Sequence, residues 1–270
     1  MRYAKLKTPD GPLYVEVEDR AGELWAVSPA AAPEEDPLPS LRPAVTFRPA
    51  PLAGFELLAP GKPSKIVCVG RNYRDHAAEL GNAVPKEPML FFKPPSSLLA
   101  PGGTILLPAL SSRVDFEGEL ALVIGRRCRN LGPEEDVLPY LRGYTLVNDI
   151  SARDLQKSDG QWTRAKGFDT FCPVGPVVTV CGEHEIDPVS GAPVTLTTRV
   201  NGETRQSGST ADLIFPIATI LRYVTSFLTL EPGDLIPTGT PAGVGPLQPG
   251  DIVEVEIGGI GLLRNSVAAG

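Results

Sequence analysis

Histidine and cysteine are scarce in this 270-residue chain, which carries two histidines, His76 and His184, and four cysteines, Cys68, Cys128, Cys172 and Cys181. No two cysteines form a CxxC pair and none stands at ligand spacing from a histidine. This excludes the usual zinc-site patterns and a disulfide framework, and leaves buried thiols as the expectation. Long apolar runs are also missing: nothing approaches the roughly 20 residues a bilayer-spanning helix needs. No apolar signal core follows Met1-Arg2-Tyr3-Ala4-Lys5-Leu6-Lys7, so a soluble, cytoplasmic protein is expected, with no membrane partner. Basic charge is short as well. With 25 Lys+Arg against 32 Asp+Glu and a net charge of -7, the chain lacks the clustered cations that a phosphate backbone demands, which argues against nucleic acid and for small-molecule work.

Proline, by contrast, is abundant at 29 residues. It crowds the stretch from Pro29 to Pro63, where it prevents long helices and favours extended chain. Before this stretch, Tyr14-Val15-Glu16-Val17-Glu18 alternates at strand period and Glu23 to Val27 reads as a second short strand. The expected organisation is therefore a small β-rich N-terminal domain with its proline-rich linker over 1–62, and a catalytic domain over 63–270. Further strands are predicted at Lys65–Val69, Leu120–Ile124, Val177–Val180, Thr195–Val200 and Ile252–Ile257. Helices are predicted only near Asp75–Leu80, Pro133–Tyr140 and Pro216–Leu228, the last with Ile217, Ile220, Leu221 and Val224 on one face. Many strands with isolated helices indicate an α+β, mainly β fold.

Val114 to Ile124 reads as one strand on which Asp115, Glu117 and Glu119 share a face at about 7 Å steps. Carboxylates held together oppose folding unless a proton or cation neutralises them. Asp149, ending the apolar stretch from Tyr144, is a third candidate for the same site. All-oxygen ligation suits Mg²⁺ or Mn²⁺ retaining several waters. The plainer alternative is an exposed face whose acids pair with Arg113, Arg126 or Arg127.

His76 and Glu79 lie three apart and share a face on a helical turn, so that Glu79 orients the imidazole as a general base; a surface helix with a polar face is the alternative. His184 reads as an exposed loop residue. Lys166 sits in a polar loop between Trp162 and Phe171, either a surface lysine or a cation for developing enolate charge. The small-residue loop from Thr238 to Gly245 offers N–H groups and hydroxyls to a substrate carboxylate, or is a tight connection. It lacks the lysine of a nucleotide-phosphate loop.

Six segments in order, Gly70-Arg71-Asn72-Tyr73-x-x-His76, Phe91-Phe92-Lys93-Pro94, Asp115-Phe116-Glu117-Gly118-Glu119-Leu120, Asn148-Asp149-Ile150-Ser151-Ala152-Arg153-Asp154, Lys166-Gly167-Phe168-Asp169 and Thr238-Gly239-Thr240-Pro241, resemble the fumarylacetoacetate hydrolase family. The resemblance implies a rolled mixed β-sandwich, usually a homodimer. It implies Glu117, Glu119 and Asp149 as ligands of Mg²⁺ or Mn²⁺, Lys166 as the active-site lysine, and His76 with Glu79 as a pair on a closing lid. Arg71, Tyr73, Gln156 and Thr240 correspond to substrate-contacting positions. Full fumarylacetoacetate hydrolases present a further metal-binding aspartate where this chain reads Val69-Gly70-Arg71-Asn72, so three carboxylates and water are expected. The nearer likeness is to the branch of 2-hydroxyhepta-2,4-diene-1,7-dioate isomerases, acylpyruvate hydrolases and oxaloacetate decarboxylases, which act on a small 2-oxo acid. The isomerase is the leading expectation; a metal-stabilised binding protein without turnover is the alternative of another class.

Overall fold

The computed structural model describes residues 1–37, 47–79, 83–182, 188–189 and 192–270. These residues form three sheets with a few short helices, an α+β fold dominated by strands. The predicted strands are present, most of them longer than the periodicity suggests: Gly11–Arg20, Glu23–Pro29, Ile66–Gly70, Gly118–Ile124, Cys172–Val180, Thr195–Val200 and Ile252–Ile257.

A 12-stranded sheet runs from the N-terminal strands to Met89–Lys93. The joint lies where Arg2–Thr8 pairs antiparallel with Cys172–Val180, so the N-terminal strands and those beyond residue 63 share one hydrogen-bonded sheet. Next in that sheet come Leu141–Asn148, then Gly118–Ile124, then Leu235–Pro237. A five-stranded sheet built on Thr195–Val200, Ile252–Ile257 and Gly261–Ala269 packs against it. Leu196, Val255, Ile257 and Leu263 meet Leu120, Leu122, Tyr144 and Leu146 in one core. The Gly118–Ile124 strand is buried along its whole length, because on its other side Ala121 and Val123 join a second buried cluster with Ile66, Cys68 and Val147. The sheets approach closely at Gly118, where a Cβ would lie 2.2 Å from Thr198 Oγ1, so only glycine fits beside the acidic residues.

The helix at Ile217–Phe227 buries Ile217, Ile220, Leu221 and Val224, as the spacing predicts; each contributes about 1.5–3 kcal/mol on burial. The segment Pro133–Tyr140 is not a helix. Only Leu138–Tyr140 makes a 3-10 turn, because Pro133 and Pro139 supply no N–H and the Glu135 and Asp136 carboxylates capture the N–H groups of Gly132 and Leu138 instead. Two helices at Arg153–Ser158 and Thr163–Gly167 were not among the predicted elements. The helix predicted near Asp75 spans Arg74–Glu79; Leu80, predicted as its last residue, lies outside the described residues, as does His184. Among the described residues no helix is long and apolar enough to cross a membrane.

Val114 to Ile124 is two strands, not one. The ladder breaks at Glu117: Val114–Phe116 belongs to a small three-stranded sheet with Ser151–Ala152 and Gly245–Pro246, and Gly118–Ile124 to the large one. Asp149 occupies the matching break between Leu141–Asn148 and Ser151–Ala152. The two breaks are tied together, since Asp149 N–H donates to Glu117 O at 2.8 Å and Glu117 N–H to Asn148 Oδ1 at 2.9 Å.

Candidate metal centre and active site

At these breaks the carboxylates of Glu117, Glu119 and Asp149 converge, each offering an oxygen within 4.8 Å of the others, and all three are buried. Opposed ligands of an octahedral Mg²⁺-type ion stand roughly 4.2 Å apart, so the three acids close on such an ion with small adjustment. Asp115, expected on the same face, turns away. Its two oxygens accept from Arg113 Nε and Nη2 at 2.9 and 3.0 Å, and Oδ2 also accepts from Arg153 Nε at 2.8 Å. The plainer alternative is thus right about one pairing, Asp115 with Arg113, but not about exposure, since Asp115 is as buried as Glu117 and Glu119.

Cations compensate two of the three acids. Lys166 Nζ donates to Glu117 Oε2 at 2.7 Å and Asp149 Oδ2 at 2.6 Å, and Lys93 Nζ donates to Asp149 Oδ1 at 2.7 Å. Arg153 Nη2 stands 2.6 Å from Glu117 Oε1 as an ion pair without an aligned hydrogen bond. Burial would raise the pKa of Glu117, but Arg153 and Lys166 outweigh it and hold the carboxyl below its usual range. Lys166 likewise loses solvation on burial, yet Asp149 and Glu117 raise its pKa and keep it charged.

Glu119 is the exception. Among the described residues no cationic side chain pairs with it; Oε2 accepts only the Gly239 N–H, at 2.8 Å. Burial, then the charges of Asp149 and Glu117, push its carboxyl well above the usual range. A buried carboxylate facing two others with one backbone donor is the arrangement that a divalent cation stabilises. The donor set therefore fits a Mg²⁺- or Mn²⁺-type ion.

The three acids line a cavity of about 470 Å³ together with Arg71, His76, Phe91, Gln156, Trp162, Lys166 and Thr240. His76 is buried, and its Nδ1 lies 3.2 Å from Glu79 Oε2. Glu79 is fixed in turn by the Gly243 N–H at 3.1 and 3.2 Å. This pairing joins the helix Arg74–Glu79 to the small-residue loop and leaves the other imidazole nitrogen free of Glu79. Thr240 Oγ1 donates to Gly118 O at 2.8 Å and accepts from Gln206 Nε2 at 2.7 Å. Gln156 Oε1 accepts from Arg153 Nη1 at 3.0 Å. Tyr73 is the predicted contact residue that the fold does not bring in: it is buried and forms a bridge with Leu213, and it lines a separate hollow with Ser207 and Pro241. The backbone turns at Arg71, so that Arg71 and Tyr73 serve different surfaces.

Lys93 and Gln206 were missed as site residues. Lys93 is 1% exposed and also donates to the carbonyls of Ile150 at 3.3 Å and Lys166 at 2.6 Å, so it ties the Asp149 break to the helix that carries Lys166. A lysine closing the apolar run Met89-Leu90-Phe91-Phe92 was the available signal. Gln206 holds Gly118 N–H at 3.0 Å. The loop expected to receive a substrate carboxylate spends its Gly239 N–H on Glu119 instead.

Residues 65–268 match the model of the fumarylacetoacetate (FAA) hydrolase C-terminal family. Protein Rv2993c of Mycobacterium tuberculosis is 47% identical over 267 residues, covering 99% of this chain and 98% of its own. The crystal structure of 2-hydroxyhepta-2,4-diene-1,7-dioate isomerase from Mycobacterium marinum superposes with a TM-score of 0.83 at 43% identity, over 100% of this chain and 98% of that one. Oxaloacetate tautomerase YisK of Bacillus subtilis is 42% identical over 228 residues, 80% of this chain and 74% of its own. On the shared fold, the extent of the match and these identities, the chain belongs to the fumarylacetoacetate hydrolase family.

Proposed function

We propose that this protein is a divalent-cation-dependent enzyme that moves a proton along the enol system of a small 2-oxo acid, as an isomerase of 2-hydroxyhepta-2,4-diene-1,7-dioate or a close analogue. The observation that carries the reading is the convergence of Glu117, Glu119 and Asp149 with Lys166 and the His76–Glu79 pair on one cavity.

When bound, a Mg²⁺- or Mn²⁺-type ion supplies the Lewis acidity that makes a 2-oxo acid easier to enolise. Glu117, Glu119 and Asp149 would hold it. Lys166, kept charged by two carboxylates, places a fixed positive charge where negative charge develops on the substrate oxygen. His76 carries the proton on the ring nitrogen that Glu79 leaves free, and Glu79 fixes the ring's orientation. In the isomerisation the O–H bond of the 2-hydroxyl breaks, a C=O forms at C2, the double bonds shift, and a C–H bond forms at C5. No atom is lost and nothing is oxidised or reduced.

A second reading, keto–enol interconversion of oxaloacetate, is supported by the name of the B. subtilis relative. It is the same proton shift with protonation at C3. Hydrolysis of acylpyruvates would need His76 to activate water, whereas decarboxylation of oxaloacetate would need only that Lys166 and the ion stabilise the enolate charge left when CO2 departs. We also propose a homodimer, for which light scattering should give about twice the 28.7 kDa chain mass.

The deciding experiment follows enol absorbance in the ultraviolet over 2-hydroxyhepta-2,4-diene-1,7-dioate, oxaloacetate and a set of acylpyruvates, with each product identified. Turnover of one proton-shift substrate should vanish with chelator, return with Mg²⁺ or Mn²⁺, and be absent in Glu119→Gln. Undiminished turnover in metal-free buffer would overturn the reading.

A further inference from the structure

We propose that Gln206 is a positioning residue for the proton shift: one amide, outside the cavity, holds the acidic strand and the His76–Glu79 pair in register with each other. The assignment rests on the enzyme reading above and adds to it a residue that lines no part of the cavity.

The strand Glu203–Ser209 is an edge of the five-stranded sheet and is largely exposed, yet Gln206 on it is 1% exposed. A buried amide has two unlike ends to satisfy. Backbone groups of fixed character decide which end is which. Gly118 N–H can only donate, so the amide oxygen faces it, at 3.0 Å; Pro241 O can only accept, so the amide nitrogen faces it, at 2.7 Å. That nitrogen also donates to Thr240 Oγ1 at 2.7 Å, and the Thr240 hydrogen goes to Gly118 O at 2.8 Å. Gly118 is thereby held at both its N–H and its C=O, and its neighbours on either side are Glu117 and Glu119. Thr240 has no hydrogen left for the cavity it lines, so its hydroxyl can only accept there.

The same amide holds the small-residue loop. Pro241, whose carbonyl it takes, lies midway between Gly239 and Gly243. The Gly239 N–H donates to Glu119 Oε2 at 2.8 Å, and the Gly243 N–H to the two Glu79 oxygens at 3.1 and 3.2 Å. This loop rests directly on the strand that carries Gln206, since a Cβ at Gly243 would lie 2.0 Å from Arg205 O. A loop kept there holds Gly239 against an acid of the centre and Gly243 against the acid that orients His76. Releasing Pro241 and Thr240 from Gln206 therefore disturbs both at once.

The test compares the wild-type protein with Gln206→Glu, which keeps the length and the acceptor for Gly118 N–H but puts a second oxygen where the donor to Thr240 and Pro241 stood. Calorimetric titration should show Mn²⁺ affinity lowered about 10- to 100-fold. At saturating Mn²⁺, kcat for 2-hydroxyhepta-2,4-diene-1,7-dioate, or for oxaloacetate if that is the acid the wild-type protein turns over, should fall about 10- to 100-fold. In a Glu79→Ala background the same substitution should lower kcat about threefold or less, because the route through Gly243 is already cut. If circular dichroism shows that Gln206→Glu does not fold, Gln206→Met, which adds no buried charge, is put through the same measurements with the same expectations. Wild-type Mn²⁺ affinity in the variant, or a kcat loss that multiplies in full with that of Glu79→Ala, would overturn the positioning role and leave the enzyme reading standing. Absence of metal-dependent turnover in the wild-type protein would overturn both.

Discussion

Lys93 and Lys166 divide one carboxylate between them: the Lys93 ammonium takes Asp149 Oδ1 at 2.7 Å and the Lys166 ammonium takes Oδ2 at 2.6 Å. Only Lys166 of the two lines the cavity. Lys93 therefore acts on Asp149 from behind, fixing which way its oxygens face. Lys93→Met should lower Mn²⁺ affinity about 10- to 100-fold and destabilise the fold by about 3–5 kcal/mol, because Asp149 loses a buried partner. Calorimetric Mn²⁺ titration and urea unfolding would measure the two effects. Unchanged Mn²⁺ affinity would show that Lys93 has no hand in orienting Asp149.

His76 is no ligand in the acidic cluster, and it lines the cavity with its Nδ1 held by Glu79. His76→Ala should therefore slow the proton shift about 10²- to 10⁴-fold while leaving Mn²⁺ affinity within about threefold. On oxaloacetate, decarboxylation should fall far less than the proton shift, since it needs only an electron sink. Glu79→Gln should produce a smaller loss by freeing the ring. Parallel stopped-flow assays and Mn²⁺ titration separate these outcomes, and an equal loss of both activities would count against the proton-carrying role.

Three of the four thiols are placed where thiolate is disfavoured. Burial pushes Cys128 up to about 11 and Cys172 up to about 12, and burial with the nearby Asp149 charge pushes Cys68 well above its usual range. The reactive species is the thiolate. Raised pKa values therefore mean that a pH of 8 leaves these three almost wholly protonated. Cys181, only partly buried, should be the one thiol that reacts with a disulfide reagent in the native protein at that pH, against four in guanidinium. Two or more fast-reacting native thiols would contradict this placement.

The acids of the centre were visible as candidates because strand alternation and an apolar run ending in Asp149 are local signals, but those signals also gathered in Asp115, and the family resemblance singled out the three. Their supports were not so legible. Lys93 meets Asp149 across 56 positions and Lys166 meets Glu117 across 49, and although Lys93 closes an apolar run, no local pattern names the distant partner of a buried lysine. The break at Glu117 was hidden for a related reason. Phe116 to Leu120 continues strand alternation without interruption, while the break is imposed by Asn148 and Asp149 on another strand. The short helices at Arg153–Ser158 and Thr163–Gly167 are too brief to show a 3.6-residue period. By contrast, the helix at Ile217–Phe227 runs three turns and was visible. Tyr73 lies outside the cavity that Arg71 lines, beyond the left-handed turn at Arg71 two residues earlier, and a motif read as a string cannot show such a turn.

Glu117 and Asp149 stand at two points where the chain passes between the large sheet and the small one. An ion held by both is consequently a rivet as well as a reagent. By mass action it adds about 2.7 kcal/mol of stability at a concentration 100 times its dissociation constant, so the melting temperature of this protein should report the occupancy of its centre without any substrate present.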